Sequence, residues 1–177
     1  MGSKFSKKKE VKVVVIGYNG AGKSTFFNKI NGRGKEQPSI SEYFQVDFFK
    51  FKKVKLEVWD LDGKEEVLPL WRHYLANTQF VIFIVDSADR AHINDAKELL
   101  HTTFASPLLT QASLVVIANK QDLPDAMTAE EIEQLMDLNT LSQENHWCMR
   151  SCSASTGEGV QECFEWIVEQ ISSHPQR

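Results

Sequence analysis

The sequence predicts an α/β fold: a mostly parallel sheet with helices on both faces. Three observations carry that expectation. An apolar, β-branched run at 11–16 leads into a small-residue turn and then a helical stretch. Further along, apolar runs of strand length alternate with segments of helical period. Finally, two strand-period segments, 43–51 and 54–59, are separated only by Lys52 and Lys53, which makes one antiparallel hairpin at an edge of the sheet.

The turn after the first strand, Gly17-Tyr18-Asn19-Gly20-Ala21-Gly22-Lys23-Ser24, matches the spacing G-x-x-x-x-G-K-[ST]. Small residues at Gly20, Ala21 and Gly22 let backbone amides approach phosphate oxygens. The helix predicted over 23–30 points its positive end at the same place. Lys23 supplies a mobile charge for outer phosphates, and the Ser24 hydroxyl can ligate Mg²⁺. Asn19 and Thr25 complete this candidate nucleotide-binding set. The bland alternative is a Gly-rich strand-to-helix turn that binds nothing.

Residues 31–37 are Gly-rich and charged, a loop by composition. In the hairpin, Phe44, Val46 and Phe48 on one strand and Val54, Leu56 and Val58 on the other recur at period two. The second strand runs into Asp60-Leu61-Asp62-Gly63. A carboxylate at a strand end across from a phosphate loop is where P-loop nucleotidases hold Mg²⁺, so Asp60 and Gly63 join the site. A buried strand follows at 80–85, a helix at Ile93–Phe104 and a strand at 114–118. Thr128 and Glu131 form a capping box that opens a helix over 128–136. A weaker strand at Trp147–Ser151 precedes a last helix over 160–171, which buries Val160, Phe164, Ile167, Val168 and Ile171.

Two late loops carry base recognition. Asn119-Lys120-Gln121-Asp122 follows a strand, and the Asp122 carboxylate can accept from both N1–H and the exocyclic amine of guanine, a donor pair adenine lacks. Ser153-Ala154-Ser155, on the loop after Trp147–Ser151, can offer the Ala154 amide to the guanine O6. Together they turn a nucleotide site into a guanine-nucleotide site.

The chain's 177 residues suit one domain over 11–177, with 42% hydrophobic and 25% charged residues typical of a soluble globular protein. Its longest purely apolar run, at 80–85, is too short to span a bilayer. Cys148, Cys152 and Cys163 have neither metal-ligand spacing nor a disulfide framework, and read as reduced cytoplasmic thiols. The formal charge of −4 is uneven: Lys4, Lys7, Lys8, Lys9 and Lys12 face only Glu10 near the N-terminus, so the body is acidic. That body and the lack of a recognition module argue against nucleic acid. Met1-Gly2-Ser3-Lys4-Phe5-Ser6 fits the N-myristoylation pattern with Gly2 as acceptor, and the lysines behind it are the second signal that one acyl chain needs to hold an anionic membrane surface. Residues 1–10 thus form a lipidated polybasic tip.

GYNGAGKST, WDLDG, LPLWRHY, NTQFVIFIVDSADR, ANKQDLPDAM and CSASTGEG, in that order and spacing, resemble the Arf and Arf-like branch of the Ras-type small GTPases. The resemblance covers nearly the whole chain. It implies a six-stranded P-loop GTPase sheet with five helices, GTP/GDP and Mg²⁺ as ligands, and a monomer that acts with an exchange factor, an activating protein and effectors. It implies acylation at Gly2 and a peripheral place on membranes, in vesicle traffic or membrane signalling. Phe44, Trp59 and Tyr74 align with the aromatic trio that effectors of this family read. Ser39 stands where a family threonine ligates Mg²⁺ in the GTP state. The chain also departs from the pattern. Ser41-Glu42-Tyr43 replaces a single glycine before Phe44, lengthening the first switch by about two residues. No amphipathic helix precedes Val11. Asp62 replaces a glycine, and Lys64 replaces the glutamine that orients the attacking water, leaving no catalytic residue assigned and an expectation of slow hydrolysis. The competing readings are a pseudo-GTPase acting as a membrane-tethered adaptor and a P-loop kinase or adenine nucleotidase. The latter conflicts with Asn119–Asp122 and has no second-substrate lid.

Overall fold

The computed structural model describes residues 10–31, 39–141 and 145–173. The lipidation signal at Gly2, the lysines at 4–9 and the charged loop from 32 on lie outside them. The strands are β1 (Glu10–Gly17), β2 (Ser39–Ile40), β3 (Phe44–Phe51), β4 (Val54–Leu61), β5 (Phe80–Asp86), β6 (Ser113–Asn119) and β7 (Trp147–Ser151). They form one sheet in the order β2-β3-β4-β1-β5-β6-β7. The β2–β3 and β3–β4 pairs are antiparallel and every other pair is parallel. The helices are α1 (Lys23–Asn31), α2 (Ile93–Phe104), α3 (Ala129–Leu135) and α4 (Val160–Ser173).

Alternation along the central strands builds two cores. Val11, Val13 and Val15 of β1 pack with Phe26 and Phe27 of α1 and with Phe164 and Ile167 of α4. Val14 and Ile16 face the other way, with Leu100 of α2 and Ile132 of α3. A strand buried on both faces reads as a continuous apolar run, which is the reason 11–16 and 80–85 are recognisable in sequence. The expected capping box is present: Thr128 Oγ1 accepts from the Glu131 amide while the Glu131 carboxylate accepts from the Thr128 amide.

Two features differ from expectation. The six predicted strands are joined by β2, a two-residue strand outside the hairpin, so β3 is not the sheet edge. Two residue pairs show no periodicity to a sequence reader. The turn at Ser41–Tyr43 folds this segment back onto β3: the Ser41 amide donates to the Phe44 carbonyl at 2.9 Å. In place of a fifth α-helix, the described residues have a six-residue 3₁₀ helix at Leu68–His73, with Pro69 in its first turn.

Candidate functional site

β1 lies between β4 and β5, where the strand order reverses, and open α/β sheets bind ligands at the carboxyl ends beside such a point. The turn at 17–22 sits there. Gly22 takes a φ of 97°, in the left-handed region, and a Cβ on it would lie 2.5 Å from Asn119 Nδ2. The Lys23 side chain curls back over the turn and donates to the carbonyls of Gly17 at 3.0 Å and Tyr18 at 3.1 Å. Burial lowers its pKa, with Asp60 opposing. The Ser24 hydroxyl donates to Asp60 Oδ2 at 3.2 Å.

Asp60, near the end of β4, is 7% exposed, and its Oδ1 has no hydrogen-bond partner among the described residues. Burial raises its pKa from 3.8 to about 6, with the Lys23 ammonium opposing. A buried carboxylate oxygen left unpartnered is costly by itself, and a hydroxyl and a carboxylate side by side are oxygen donors of the kind Mg²⁺ takes. The residues therefore fit the ion that the sequence implies. A cavity of about 370 Å³ opens here, lined by Asn19, Gly20, Gly22, Lys23, Ser24, Thr25 and Asp60. Its opposite wall is Ser41–Gln45 together with Asp62, and of Ser41–Gln45 only Phe44 was a candidate from sequence. The two-residue lengthening before Phe44 was the signal that could have found them.

Asp62 joins the switch segments. Its amide donates to the Tyr43 carbonyl at 3.0 Å, and its carbonyl accepts from the Trp71 indole at 2.8 Å. Its carboxylate accepts from the Lys64 amide at 3.0 Å and lies 3.3 Å from Lys64 Nζ. Asp62, which stands where the family has a glycine, thus holds Lys64 in an ion pair. Gly63 sits against the phosphate turn, where a Cβ would come within 2.4 Å of Lys23 Nζ and 2.5 Å of the Gly17 carbonyl oxygen.

The late loops converge on the same end of the sheet. Asn119 is buried and ties its loop to the phosphate turn and to the last loop: its Nδ2 donates to the Ala21 carbonyl at 2.9 Å, and its Oδ1 accepts from the Ala154 amide at 2.9 Å. That amide was the expected donor to the purine O6. Lys120 donates to Asp86 at 2.6 Å. Asp122 is exposed and accepts from the buried Ser153 hydroxyl at 2.7 Å. That hydrogen bond, ahead of the opposing desolvation, holds the Asp122 carboxyl below its ordinary pKa, so it stays an acceptor. Gln121, which sequence reasoning passed over, braces the loop by donating to Ser87 Oγ and the Met127 carbonyl.

The aromatic trio is one cluster, with Phe44 also in the cavity wall. Phe44 lies 5.0 Å from Trp59 and 4.9 Å from Tyr74, centroid to centroid, and all three rings are half-buried. Lys12 Nζ sits 4.6 Å from the Trp59 ring. Of Ser39, the structure describes the backbone, paired with Val46.

The ADP-ribosylation factor family matches residues 1–171. Among solved structures, the chain is similar to the Arl6 (BBS3) small GTPase of Trypanosoma brucei, determined with the nucleotide analogue GppNp bound. The two share 26% identity over 93% of this chain and 99% of that one, with a TM-score of 0.84. A family match of that extent, on a backbone shared over nearly the whole of both chains, answers the question the phosphate turn posed: this chain belongs to the ADP-ribosylation factor family and is an Arf-like small GTPase.

Proposed function

We propose that the chain is a Mg²⁺-dependent guanine-nucleotide switch with slow intrinsic hydrolysis, held at membranes by its N-terminal tip. The observation that carries the hydrolysis reading is the Asp62–Lys64 ion pair at the position where the family places a glutamine. In this reading, the 17–22 turn and the amides opening α1 hold the phosphates, with Lys23 shared between the turn's carbonyls and the phosphate oxygens. Ser24 and Asp60 hold the Mg²⁺, which supplies neutralising charge to the phosphate oxygens when bound. Asp122 accepts from the guanine edge, Ser153 keeps that carboxylate ionised and aimed, and the Ala154 amide is shared between Asn119 and the purine O6. Asn119 and Lys120 fix the loop from behind.

Hydrolysis requires a water in line with the γ-phosphate. A glutamine amide can accept from that water and donate to the phosphate. A protonated lysine has donors only, and here its ammonium is paired with Asp62. Lys64 therefore lacks the acceptor that would orient the water. The γ-phosphate is bound and turnover is slow, so the switch depends on a partner to reset it. Gly2 acylation with the lysines at 4–9 supports a peripheral membrane site, and among the described residues no helix is long and apolar enough to cross a bilayer.

The test is a nucleotide-exchange and single-turnover hydrolysis time course on the purified chain and on Lys64→Gln. The expected result is intact GTP binding in both and a rate at least about tenfold higher in the variant. Equal rates would show that this position does not limit turnover. A chain that never hydrolyses GTP, alone or as Lys64→Gln, favours the adaptor reading.

A further inference from the structure

Three carboxylates line the cavity beside the phosphate turn: Asp60, Asp62 and Glu42. They are not equivalent. Asp62 is committed, with one oxygen accepting from the Lys64 amide and the other paired with Lys64 Nζ. Asp60 has one oxygen on the Ser24 hydroxyl, while its Oδ1 is buried and unpartnered among the described residues. Glu42 has no hydrogen bond or ion pair to any described residue.

Glu42 belongs to the insertion that lengthens the first switch, and the insertion is a built turn. Ser41 Oγ accepts from the amides of Tyr43 at 3.2 Å and Phe44 at 3.1 Å. The Asp62 amide then fastens the Tyr43 carbonyl to the end of β4. This turn seats Glu42 on the wall of the cavity that Ser24 and Asp60 also line. The backbone of Ser39, in contrast, is in β2. The register runs Ile40 to Gln45 to Asp60, so Ile40 lies two strand spacings from Asp60, roughly 9.6 Å, with Ser39 one residue further along β2.

We propose that Glu42 supplies the first switch's ligand to the Mg²⁺ shell in the GDP form, with Ser24 and Asp60 on the opposite side of the ion. Mg²⁺ is held in such sites by one or two carboxylates with phosphate oxygens and retained waters. Glu42 completes that number, through a direct bond or one of the waters. The inserted residues thereby carry a role in ion retention that a single glycine at this place cannot. The inference rests on the guanine-nucleotide reading above.

The experiment loads the full chain with a fluorescent GDP analogue and follows its release at free Mg²⁺ buffered from micromolar to millimolar. Glu42→Gln keeps size and hydrogen bonding and removes the charge. Glu66→Gln removes an equal charge from a residue on the neighbouring cavity, beside Asn19 and Gly63. The expected result is that Glu42→Gln raises the Mg²⁺ concentration at half-maximal retention by about 10- to 100-fold. Its release rate in excess chelator should stay that of the parent chain, because the effect passes through the ion. An unchanged midpoint in Glu42→Gln overturns the proposal, and so does an equal shift in Glu66→Gln, which would mean a general effect of charge. A chain that retains no analogue even at millimolar Mg²⁺ overturns the nucleotide reading and this one with it.

Discussion

Replacing Asp60 by asparagine is expected to stabilise the nucleotide-free fold while weakening its hold on Mg²⁺. The two effects have opposite signs and one origin. Asp60 is 7% exposed, so water does little to screen it, and burial lifts its pKa from 3.8 to about 6. Carrying the charge at neutral pH therefore costs roughly 3 kcal/mol of folding free energy. Asparagine removes the charge and keeps an oxygen for the Ser24 hydroxyl, but leaves an amide where Oδ1 has no partner. The net gain should be about 1–3 kcal/mol. The sign with pH follows from proton uptake. Between pH 3.8 and about 6 the folded chain binds more protons at Asp60 than the unfolded chain does, so the parent's stability rises as pH falls through this window. The advantage of Asp60→Asn should be full above pH 7 and about half as large at pH 5. Denaturant unfolding of nucleotide-free protein in chelator, at pH 5.0 and 7.5 (the pH values chosen on either side of about 6), reads both. A variant less stable than the parent at pH 7.5, or a difference that does not change with pH, would refute the reasoning. Retention of a fluorescent guanine nucleotide in Mg²⁺ reads the opposing effect, which should be a loss.

Asp122→Asn should lower GTP-over-ATP selectivity by roughly 10²–10³-fold, since two hydrogen bonds to a charged acceptor are lost; unchanged selectivity in competition assays would place base recognition elsewhere. Gly63→Ala should destabilise the fold by about 1–3 kcal/mol in denaturant unfolding, because the new methyl meets a backbone carbonyl that cannot step aside. On vesicles, charge reversal at Lys4, Lys7, Lys8 and Lys9 should release the acylated chain from anionic lipid, as should high salt. Equal binding to neutral and anionic vesicles would remove the electrostatic half of the membrane reading.

What could be read in the sequence was what burial dictates. β1 is legible because Val13 and Val15 fill one core and Val14 and Ile16 the other, leaving no polar position between 13 and 16. α2 falls at Ile93–Phe104 because Ile93, Ala96 and Leu100 commit one face to the core, while β7 at Trp147–Ser151 reads as the weaker strand because its residues are at most half-buried, Trp147 and Met149 against one core and Cys148 against the other. β2 had no such signal. Its two residues are held by pairing with β3 and by the Ser41 turn, which are contacts between backbone atoms and carry no residue signature. The same holds for the 3₁₀ segment Leu68–His73, where one turn of either helix type buries the same Trp71.

The site divides along a similar line. Gly22 and Gly63 are legible as types because their missing side chains are a condition of contact: a Cβ on either would strike Asn119 or the phosphate turn. Asp122 is legible as a candidate because it falls at the acidic position of the Asn119–Asp122 motif, and the structure adds the Ser153 hydroxyl that holds it. The pairings between the motifs were not legible. Asn119 reads as a nucleotide-binding residue in sequence, and its two hydrogen bonds, which tie the Ala21 carbonyl to the Ala154 amide and hold three loops at one spacing, were not legible there. Lys64 likewise reads as a lost glutamine, but Asp62 is the residue that decides what the lysine does. A glycine there would leave the ammonium without its carboxylate, so the two substitutions act as one unit. The Lys64→Gln rate should therefore rise further when Asp62→Gly is added, since the acid that remains keeps only the backbone amide of residue 64 and would face the γ-phosphate without its ammonium. A double variant no faster than Lys64→Gln would mean that the orphaned Asp62 carboxylate turns to solvent and plays no part in turnover.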